Sequence, residues 1–406
     1  MSRYLSPTGS PIQTGELLSW LGSVFSSTDY SESIKRMVAR DLQLSFGTLY
    51  ITGRAAMASV LESIMCLRGH DDTRNEIIIP AYTCYSVASS AINAGFNIRL
   101  CDIDPVTLSY DLDCLHRLDT DRVLAMVSAN LYGLPNDLPA LERFANEHGI
   151  HLIDDAAQAL YARIDGRGVG SYGRAGILSF DKGKNVTSLQ GGMVVTEDES
   201  LNRYLTEQQG KLSDLDLKGK LKEFLKVIVY YTFLHPVMYQ VPANISFSGL
   251  GETIYEDEVT VLRYPSMLSS LVKDQLSRGL DIAANRTAVG QYYDRSFDGV
   301  RGVTRISPLS GAEPVYLRYP LLVDDKQTRL RLLNEKRALG ISASYPKALS
   351  QLPEIHPKLV GRSDCPGAEW IAQQIITLPT HAYVRQQDMS EIVDSISNLS
   401  SRVEAT

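Results

Sequence analysis

Short apolar runs alternate with longer amphipathic stretches between residues 50 and 200 of the chain. The apolar runs predict buried strands at residues 76–80, 98–102, 123–128 and 151–155, and the stretches between them predict helices at residues 53–68, 86–95 and 138–149. This alternation is typical of a parallel sheet that is covered by helices. Ligands of such sheets bind at the carboxyl ends of the strands, so we expect Asp155 and the turn at residues 80–85 at one edge.

The pattern changes on both sides of this region. Residues 1–48 predict an irregular arm and one helix at about residues 31–44, whereas residues 201–255 are predicted to be helical and partly apolar. Residues 267–297 predict one long helix. Beyond it, predicted strands at residues 316–323 and 340–345 flank a helix at about residues 327–339, and a last helix begins near Gln386.

We therefore predict three parts in the chain. Residues 1–48 form an N-terminal arm and helix, and residues 49–300 form a large domain with an apolar insertion at about residues 211–255. Residues 301–406 form a small C-terminal α/β domain.

Composition narrows the classes of protein without naming one. The chain has 406 residues, 44% of them hydrophobic and 21% charged, which is typical of a globular protein. A net charge of −7 argues against nucleic-acid binding, which requires a basic face. Five scattered cysteines show no metal-ligand spacing and suit a reducing compartment. With no signal peptide visible, we expect a cytoplasmic protein without a metal site.

One segment leaves room for membrane association. Residues 222–241 are rich in Tyr, Phe, Leu and Val, but Lys226 and Pro236 interrupt them and the run is too short to span a bilayer. Basic residues precede the segment, so weak contact with a membrane surface is one interpretation. The other interpretation is a buried helix or one at a dimer interface, and the sequence leaves both open.

The stretch from Ser179 to Gly192 carries the first candidate chemistry. Lys182 and Lys184 lie in it, between apolar runs at residues 175–178 and 193–196. By themselves these residues fit a polar hairpin turn as well as a reactive lysine on a rigid support. The surrounding chain has to decide between the two.

A second candidate lies at the end of the strand at residues 151–155. A carboxylate at Asp155 is costly to bury without a partner, and Gln158 follows three residues later. The protonated ring nitrogen of pyridoxal phosphate is one such partner. A helix cap is the alternative. The Thr-Gly element before the helix at Gly53 adds a weak indication of a phosphate site.

The order and spacing of several motifs resemble the DegT/DnrJ/StrS family of sugar aminotransferases, in a divergent, polysaccharide-biosynthesis-like branch. These motifs are Gly53-Arg-Ala-Ala, Pro80-Ala-Tyr-Thr, Asp102-Ile-Asp-Pro, Leu131-Tyr-Gly, Ile153-Asp-Asp-Ala-Ala-Gln-Ala, Gly170-Ser-Tyr-Gly, and Ser179-Phe with Lys184 and Gly191-Gly192. The resemblance is dense over residues 50–200 and looser to Leu378-Pro-Thr-His381. It implies the pyridoxal-phosphate-dependent transferase fold of type I, an α/β fold.

The resemblance also implies roles for individual residues. Lys184 is the family's Schiff-base lysine and proton carrier, Asp155 pairs with the pyridine nitrogen, Gln158 lies near the phenolic oxygen and Ser179 binds the phosphate. Lys182 lies near the position of a family proline, so we interpret it as a surface charge.

Further cofactor contacts follow from the same comparison. The backbone at Gly53, Arg54 and Ala55 is expected to add phosphate contacts at the helix start. The aromatic residue that covers the cofactor ring in the family has Cys84 and Tyr85 in its place, and either is a candidate for that contact.

The chain departs from the family near the substrate. The family's Asn-Tyr-Arg-Met element is replaced by a segment containing Arg263. Arg263 and Arg54 are candidates for an anionic contact, and the alternative for each is an ordinary surface or interface residue. Tyr345 and His381 lie in altered or retained motifs near the substrate end, so they complete our list of substrate residues with Arg263.

These features together predict a pyridoxal-phosphate-dependent aminotransferase. The donor is expected to be an amino acid, in the family commonly glutamate, and the acceptor a keto sugar, nucleotide-linked, for surface polysaccharide or amino sugars. A homodimer with active sites at the subunit interface is implied. A lipid-linked or other non-sugar keto acceptor and a non-catalytic cofactor-binding scaffold are the alternatives. The 3-dehydratase branch has histidine where this chain has Lys184, which disfavours it.

Overall fold

The computed structural model describes residues 3–245 and 255–400. Its strands are β1 Phe46–Tyr50, β2 Glu76–Pro80, β3 Asn97–Cys101, β4 Val123–Ala129, β5 His151–Asp155, β6 Arg163–Ile164, β7 Arg167–Gly168, β8 Ala175–Ser179, β9 Gly192–Thr196, β10 Val303–Arg305, β11 Ala312–Glu313, β12 Tyr319–Val323 and β13 Ile375–Leu378.

The helices cover the sheets and extend the N-terminal part. They are α1 Thr14–Ser26, α2 Ser31–Leu42, α3 Gly53–Leu67, α4 Tyr85–Asn93, α5 Leu112–His116, α6 Leu138–Glu147, α7 Glu199–Lys211, α8 Leu217–Phe233, α9 Gln240–Ile245, α10 Ser269–Ser277, α11 Gly279–Ser296, α12 Lys326–Glu335, α13 Pro366–Gln374 and α14 Gln386–Ser400. Five of them begin after an aspartate whose side chain accepts a hydrogen bond from the first turn: α5, α6, α7, α8 and α12.

A seven-stranded sheet forms the centre of the molecule, in the order β1-β9-β8-β5-β4-β2-β3. The strands from β3 to β8 run parallel, and β9 runs antiparallel to both of its neighbours. Every residue of β2, β4 and β8 is buried, as expected for strands that are covered on both faces. The predicted α/β architecture is confirmed, with antiparallel strands at one side of a mainly parallel sheet.

The register brings the carboxyl ends of the central strands together. Asp155 of β5 lies beside Ala129 of β4 and Ile177 of β8. Ser179, two residues further along β8, pairs with Gly192 of β9. Asp155 and Ser179 therefore lie at the same edge of the sheet, as the sequence predicted for the strand ends.

Three predictions about the outer elements were wrong in detail. The N-terminal part holds two helices rather than one, since α1 precedes α2. The long helix predicted at residues 267–297 is divided between α10 and α11, because Arg278 leaves helical geometry (φ −116°). Residues 340–345 form no strand but one bridge, Ser342 to Thr377, and the third strand of the second sheet is β13.

The second sheet has the order β10-β12-β13 and starts just beyond the boundary that we predicted near residue 300. One apolar cluster contains side chains of both sheets, for example Ile153 and Leu321. The division into an arm, a large domain and a small domain therefore stays a prediction.

The segment after β9 forms α7, α8 and α9. The inner face of α8 packs on the N-terminal helices, where the Phe224 ring lies 5.0 Å from that of Trp20 and Val227 is fully buried. Its outer face leaves Leu221, Leu225 and Val229 more than half exposed. None of the described helices has the length and the apolar content to cross a bilayer.

Candidate active site

Lys184 lies in the connection between two antiparallel strands, β8 and β9. The connection is thus a hairpin, as one interpretation of the sequence proposed, but it is anchored at several points. The N-terminal arm holds it: Thr8 Oγ1 donates to the Gly183 carbonyl (2.9 Å) and Ser10 Oγ to that of Lys184 (2.7 Å). Lys184 is half-buried and Lys182 is exposed, which agrees with our ranking of the two lysines.

The two carboxylates at the end of β5 point to opposite sides, because side chains alternate along a strand. Asp154 is fully buried and accepts hydrogen bonds from Asn130 Nδ2 (2.8 Å) and the Gly170 amide (2.5 Å). Burial raises the pKa of Asp154 to about 7. Asp154 is therefore a structural residue that joins β5 to the loop at Gly170.

Asp155 faces the lysine instead. Its Oδ1 accepts a hydrogen bond from the amide of Ala157 (2.9 Å). Burial raises the pKa of Asp155, and the nearby ammonium group of Lys184 works in the opposite direction. The two residues that the sequence assigned to the cofactor are thus brought close enough to interact electrostatically.

The start of α3 lies against β8. Thr52 caps the helix, and its Oγ1 accepts from the Ala55 amide (3.0 Å), so that amide is already engaged. A Cβ atom at Gly53 would lie 3.0 Å from Ser179 Oγ, which shows how closely the hydroxyl approaches the helix start. The N–H groups of a first helical turn lack intrahelical partners and favour anions, so Ser179 and this turn fit a phosphate group.

The Arg54 side chain does not point to this site. Its guanidinium forms an ion pair with Glu256. Arg54 therefore contributes its backbone to the helix start, and its predicted anionic contact is with a protein carboxylate in this chain.

Gln158, three residues after the end of β5, contacts Tyr345 of the C-terminal part. Gln158 Oε1 accepts from the Tyr132 amide (2.9 Å), and its Nε2 donates to Tyr345 Oη (2.8 Å). Tyr132 has a positive φ of 58°, and the neighbouring Gly133 has one of 85°. A Cβ atom at Gly133 would lie 3.0 Å from the backbone N atoms of Tyr316 and Leu317, so the Leu-Tyr-Gly motif forms a tight turn against the C-terminal part.

Cys84 and Tyr85 have different surroundings. Tyr85 is buried, and its hydroxyl hydrogen-bonds to both the amide and the carbonyl of Lys347 (3.1 Å each). Cys84 is half-buried and accepts a hydrogen bond from Ser86 Oγ (2.9 Å). Of the two candidates, Tyr85 is committed to the loop at Lys347, which favours Cys84 as the residue on the ring side.

Two predicted substrate residues are engaged elsewhere in this chain. The guanidinium of Arg263 donates to the carbonyls of Gln209 (3.2 Å) and Gly210 at the end of α7. His381 is buried, contacts the Ser6 carbonyl through Nε2 (2.8 Å), and has its pKa lowered to about 4 by burial. It is therefore a neutral residue that holds the N-terminal arm, and the substrate contacts of both side chains stay predictions.

Sequence reasoning missed two residues near the site. Asn130 links the carboxylate of Asp154 to the backbone, since its Nδ2 also donates to the Asp155 carbonyl (2.9 Å). Arg318 is half-buried, burial lowers its pKa, and its guanidinium lies 3.4 Å from Ser342 Oγ and Thr377 Oγ1. A charged residue inside the apolar run at residues 315–323 was the available signal for Arg318.

A cavity of about 1540 Å³ adjoins the lysine-bearing loop. Its inner end is lined by Thr52, Gly183 and Gln190, and its outer wall by α8 and residues 341–344. Small-molecule sites commonly have volumes of about 300–1,000 Å³, so this space exceeds the needs of an amino acid. Its lining includes Gly183, the residue before Lys184.

Comparison with known proteins agrees with the site. Residues 52–397 match the model of the DegT/DnrJ/EryC1/StrS aminotransferase family. The chain is 25% identical over 359 residues to a UDP-N-acetyl-3-dehydro-alpha-D-glucosamine 3-aminotransferase of Acidithiobacillus ferrooxidans, covering 84% of this chain and 85% of the relative. It is 25% identical over 333 residues to the spore coat polysaccharide biosynthesis protein SpsC of Bacillus subtilis, covering 80% and 79%.

Solved structures show the same fold. The aminotransferase PseC of Helicobacter pylori, involved in the biosynthesis of pseudoaminic acid, superimposes with a TM-score of 0.78 at 18% identity, over 98% of this chain and all of PseC (100%). DesV of S. venezuelae, solved in complex with a ketimine intermediate, has a TM-score of 0.76 at 19% identity, over 96% and 95%.

The fold and the lysine–carboxylate edge define a pyridoxal-phosphate-dependent aminotransferase of fold type I. The match over most of the chain specifies the group further: the protein belongs to the DegT/DnrJ/EryC1/StrS aminotransferase family.

Proposed function

We propose that the protein transfers an amino group from an amino acid, with glutamate the expected donor, to the ketone of a sugar in amino-sugar or surface-polysaccharide biosynthesis. The observation that carries the proposal is the position of Asp155 at the end of β5, within electrostatic range of Lys184, together with the close approach of Ser179 to the helix start at Gly53. Similarity to proteins that are named for sugar substrates supports a keto sugar as the acceptor. Retention of this geometry disfavours a scaffold that has lost its activity.

The residues of this chain divide the chemistry among them. Pyridoxal phosphate, when bound, supplies a ring that withdraws electrons from the bond to the donor Cα hydrogen. Ser179 and the first turn of α3 hold its phosphate, and Asp155 keeps the ring nitrogen protonated. A cationic nitrogen there would offset the cost of burying the Asp155 carboxylate, which is the cost that raises its pKa.

Lys184 then acts as the proton carrier. Its amine would remove the proton from Cα of the donor, which leaves as its keto acid, and would deliver a proton to the acceptor carbon that receives the amino group. The hydrogen bonds from Thr8 and Ser10 to its loop limit the movement of the amine. A base positioned in this way contributes about 10²- to 10⁴-fold to the rate.

The assembly is proposed to be a homodimer with active sites at the subunit interface. Enzymes of this family typically act as dimers, and their substrates are small molecules. A nucleoside diphosphate is the sugar carrier that kinship suggests, because a relative acts by name on a UDP-linked sugar. The lining of the large cavity suggests a different carrier, which is argued below.

Borohydride reduction of the holoenzyme tests the lysine. Reduction should fix the cofactor to Lys184, and Lys184→Ala should abolish the adduct. Lys182→Ala is the matched control, since this exposed neighbour should leave the adduct unchanged. Mass mapping of the adduct to residue 182 would refute the assignment.

The donor half-reaction tests the activity. Addition of glutamate to the holoenzyme should shift the cofactor absorption to shorter wavelength, and a keto-sugar acceptor should reverse the shift. A screen of other amino donors identifies the donor if glutamate fails. No spectral response to any amino acid would favour the non-catalytic scaffold instead.

A further inference from the structure

The outer face of α8 carries two parallel rows of side chains. Leu221, Leu225 and Val229 form an apolar row at spacings of four residues, and they are 58%, 54% and 53% exposed. Lys218 and Lys222 occupy the adjacent row, also four residues apart. Residues four apart lie above one another on a helix, so each row runs along the helix axis.

Both rows line the large cavity. The cavity extends from Lys218 along α8 to Thr52 and Gly183, next to the start of α3 and the loop that carries Lys184. With a rise of about 1.5 Å per residue, the helix from Leu217 to Phe233 is about 24 Å long. The groove therefore reaches Thr52 and Gly183, the residues that precede the start of α3 and Lys184, and it is far longer than a sugar ring.

The charge of the lining is strongly positive. Lys182, Lys218 and Lys222 face the cavity, as do Arg318 and Arg337 on the opposite wall, and Asp181 is the carboxylate in the lining. Lys226 also lines the cavity and is paired with Glu223 (2.7 Å). Among residues 3–245 and 255–400, no carboxylate forms an ion pair with the five other cations. Opposite charge in the ligand would be attracted by this arrangement.

The groove thus needs a ligand that is both apolar and anionic. The base of a nucleotide seeks hydrogen-bond partners for its polar edges, whereas the α8 row offers aliphatic side chains. A long hydrocarbon chain would cover Leu221, Leu225 and Val229, and a diphosphate would lie between the lysine row and the arginines. Both parts would leave the attached sugar at the inner end, near Lys184.

We propose that the acceptor is an amphiphile, a keto sugar joined through a diphosphate to a long hydrocarbon chain of the polyprenyl class, and that α8 binds its carrier. The proposal rests on the proposed function, because it names the acceptor of that reaction. It assigns the apolar segment to substrate binding rather than to a membrane surface or to a second copy of the chain.

Calorimetry on the holoenzyme with three soluble probes tests the carrier: farnesyl diphosphate below its micelle concentration, UDP and inorganic diphosphate. Burial of one methylene group corresponds to about a fourfold gain in affinity. Farnesyl diphosphate should therefore bind at least about 100-fold more tightly than inorganic diphosphate. UDP should bind no better than inorganic diphosphate.

Two pairs of variants locate the binding. Leu225→Asp should weaken farnesyl diphosphate at least about tenfold without changing inorganic diphosphate, and Leu280→Asp, on the exposed Leu280 of α11 (73% exposed), should change neither. Lys222→Ala should weaken both diphosphates about tenfold, as expected for loss of a charge-assisted contact. Lys220→Ala is its control, since Lys220 is exposed but does not line the cavity.

Three results would overturn the proposal. UDP binding more tightly than farnesyl diphosphate, and insensitive to Leu225→Asp, would make the carrier a nucleotide. Sedimentation with anionic vesicles that Leu225→Asp abolishes, without competition by farnesyl diphosphate, would assign the face to a membrane. A dimer that Leu225→Asp dissociates, as measured by light scattering, would assign it to a second subunit.

Failure of the proposed function would look different. The spectral response to glutamate needs no diphosphate carrier, so it is measured on the unmutated holoenzyme and on Leu280→Asp, which should respond alike. Absence of that response with normal farnesyl diphosphate binding would refute aminotransfer but would leave the groove as a binding site for the amphiphilic carrier. A normal response with no farnesyl diphosphate binding would refute only the amphiphilic acceptor.

Discussion

At the scale of single residues, Asp154 and Asp155 have different environments although they are adjacent in sequence. Asp154 accepts hydrogen bonds from Asn130 and from the Gly170 backbone inside the core. Asp155 lies within electrostatic range of Lys184. The alternation of a strand separates the core carboxylate of Asp154 from that of Asp155, which we propose faces the cofactor. Only the second should matter for chemistry.

Substitution of each aspartate by asparagine tests this division. Asp155→Asn should slow the donor half-reaction by about 10²- to 10³-fold with little change in stability, because the charge facing the ring nitrogen is lost. Asp154→Asn should instead lower the free energy of unfolding by about 1–3 kcal/mol, since an N–H group then faces the Gly170 amide. Stopped-flow spectra and denaturant unfolding measure the two effects. A slower half-reaction in Asp154→Asn and lower stability in Asp155→Asn would contradict this division of roles.

The pH dependence of stability depends in part on His381. Its pKa is about 4 in the folded protein, below the ordinary value of 6.5, so the unfolded chain binds the proton first as pH falls. Stability is therefore complete above pH 6.5 and is lost between pH 6.5 and 4, by about 2 kcal/mol at pH 5. His381→Gln should remove this part of the loss in denaturant titrations at pH 7.5 and 5. His70→Gln, at an exposed position, is the control and should leave the loss of stability between pH 7.5 and 5 unchanged.

At the scale of elements, the C-terminal end of α7 is capped by the side chain of Arg263, which lies 53 residues beyond Gly210 in the chain. Arg263 donates to the carbonyls of Gln209 and Gly210 in the last turn of α7, where the Gln209 carbonyl also accepts from the Leu212 amide (3.1 Å). The positive charge also suits the negative end of the helix dipole. The residue that we expected at an anionic substrate is thus used as a helix cap in this chain.

Arg263→Met separates the cap from a substrate role. Loss of the cap should lower the free energy of unfolding by about 1 kcal/mol and leave the donor half-reaction unchanged. Thermal unfolding and half-reaction spectra on the same sample are sufficient. An unchanged melting temperature with weaker substrate binding would restore the anionic contact that the resemblance implied.

At the scale of the whole molecule, the N-terminal arm connects the C-terminal part to the active-site loop. Arg286 of α11 is fully buried and donates to the carbonyls of Gly9 (2.8 Å) and Leu317 (2.9 Å). Ser10 in turn holds the Lys184 loop (2.7 Å). One buried cation therefore links three parts of the fold that are distant in sequence. Burial lowers its pKa to about 10, so it stays charged at neutral pH.

Removal of this cation should loosen the arm. Arg286→Met keeps much of the side-chain volume but leaves buried carbonyls without donors, each costing about 1–3 kcal/mol. We expect a loss of at least about 2 kcal/mol in the free energy of unfolding and faster proteolysis within residues 3–12. Arg295→Met, near the end of the same helix, is the control. Equal protease sensitivity of the two variants would contradict the link.

Comparison of prediction and structure shows where sequence reasoning succeeds. The strands around β2, β4, β5 and β8 were placed to within about two residues, because their apolar runs are local and continuous. Lys184 and Asp155 followed from motif order and lie together. The sequence left a hairpin between β8 and β9 as one interpretation, and the antiparallel pairing of β9 with β8 and β1 is seen only in the structure. The division of the long helix at Arg278 was missed.

The family resemblance proposed Lys184 and Asp155 as cofactor residues, and local patterns in the chain were sufficient for the class of fold. They could not assign His381 to the arm or Arg263 to α7, because each partner lies far away in sequence and is reached only after packing. Local patterns also could not tell which apolar residues of α8 are buried and which are exposed. Packing against Trp20 buries one face and leaves the other beside the catalytic loop. Burial is a property of the folded chain, and it decides which apolar residues remain to bind a ligand.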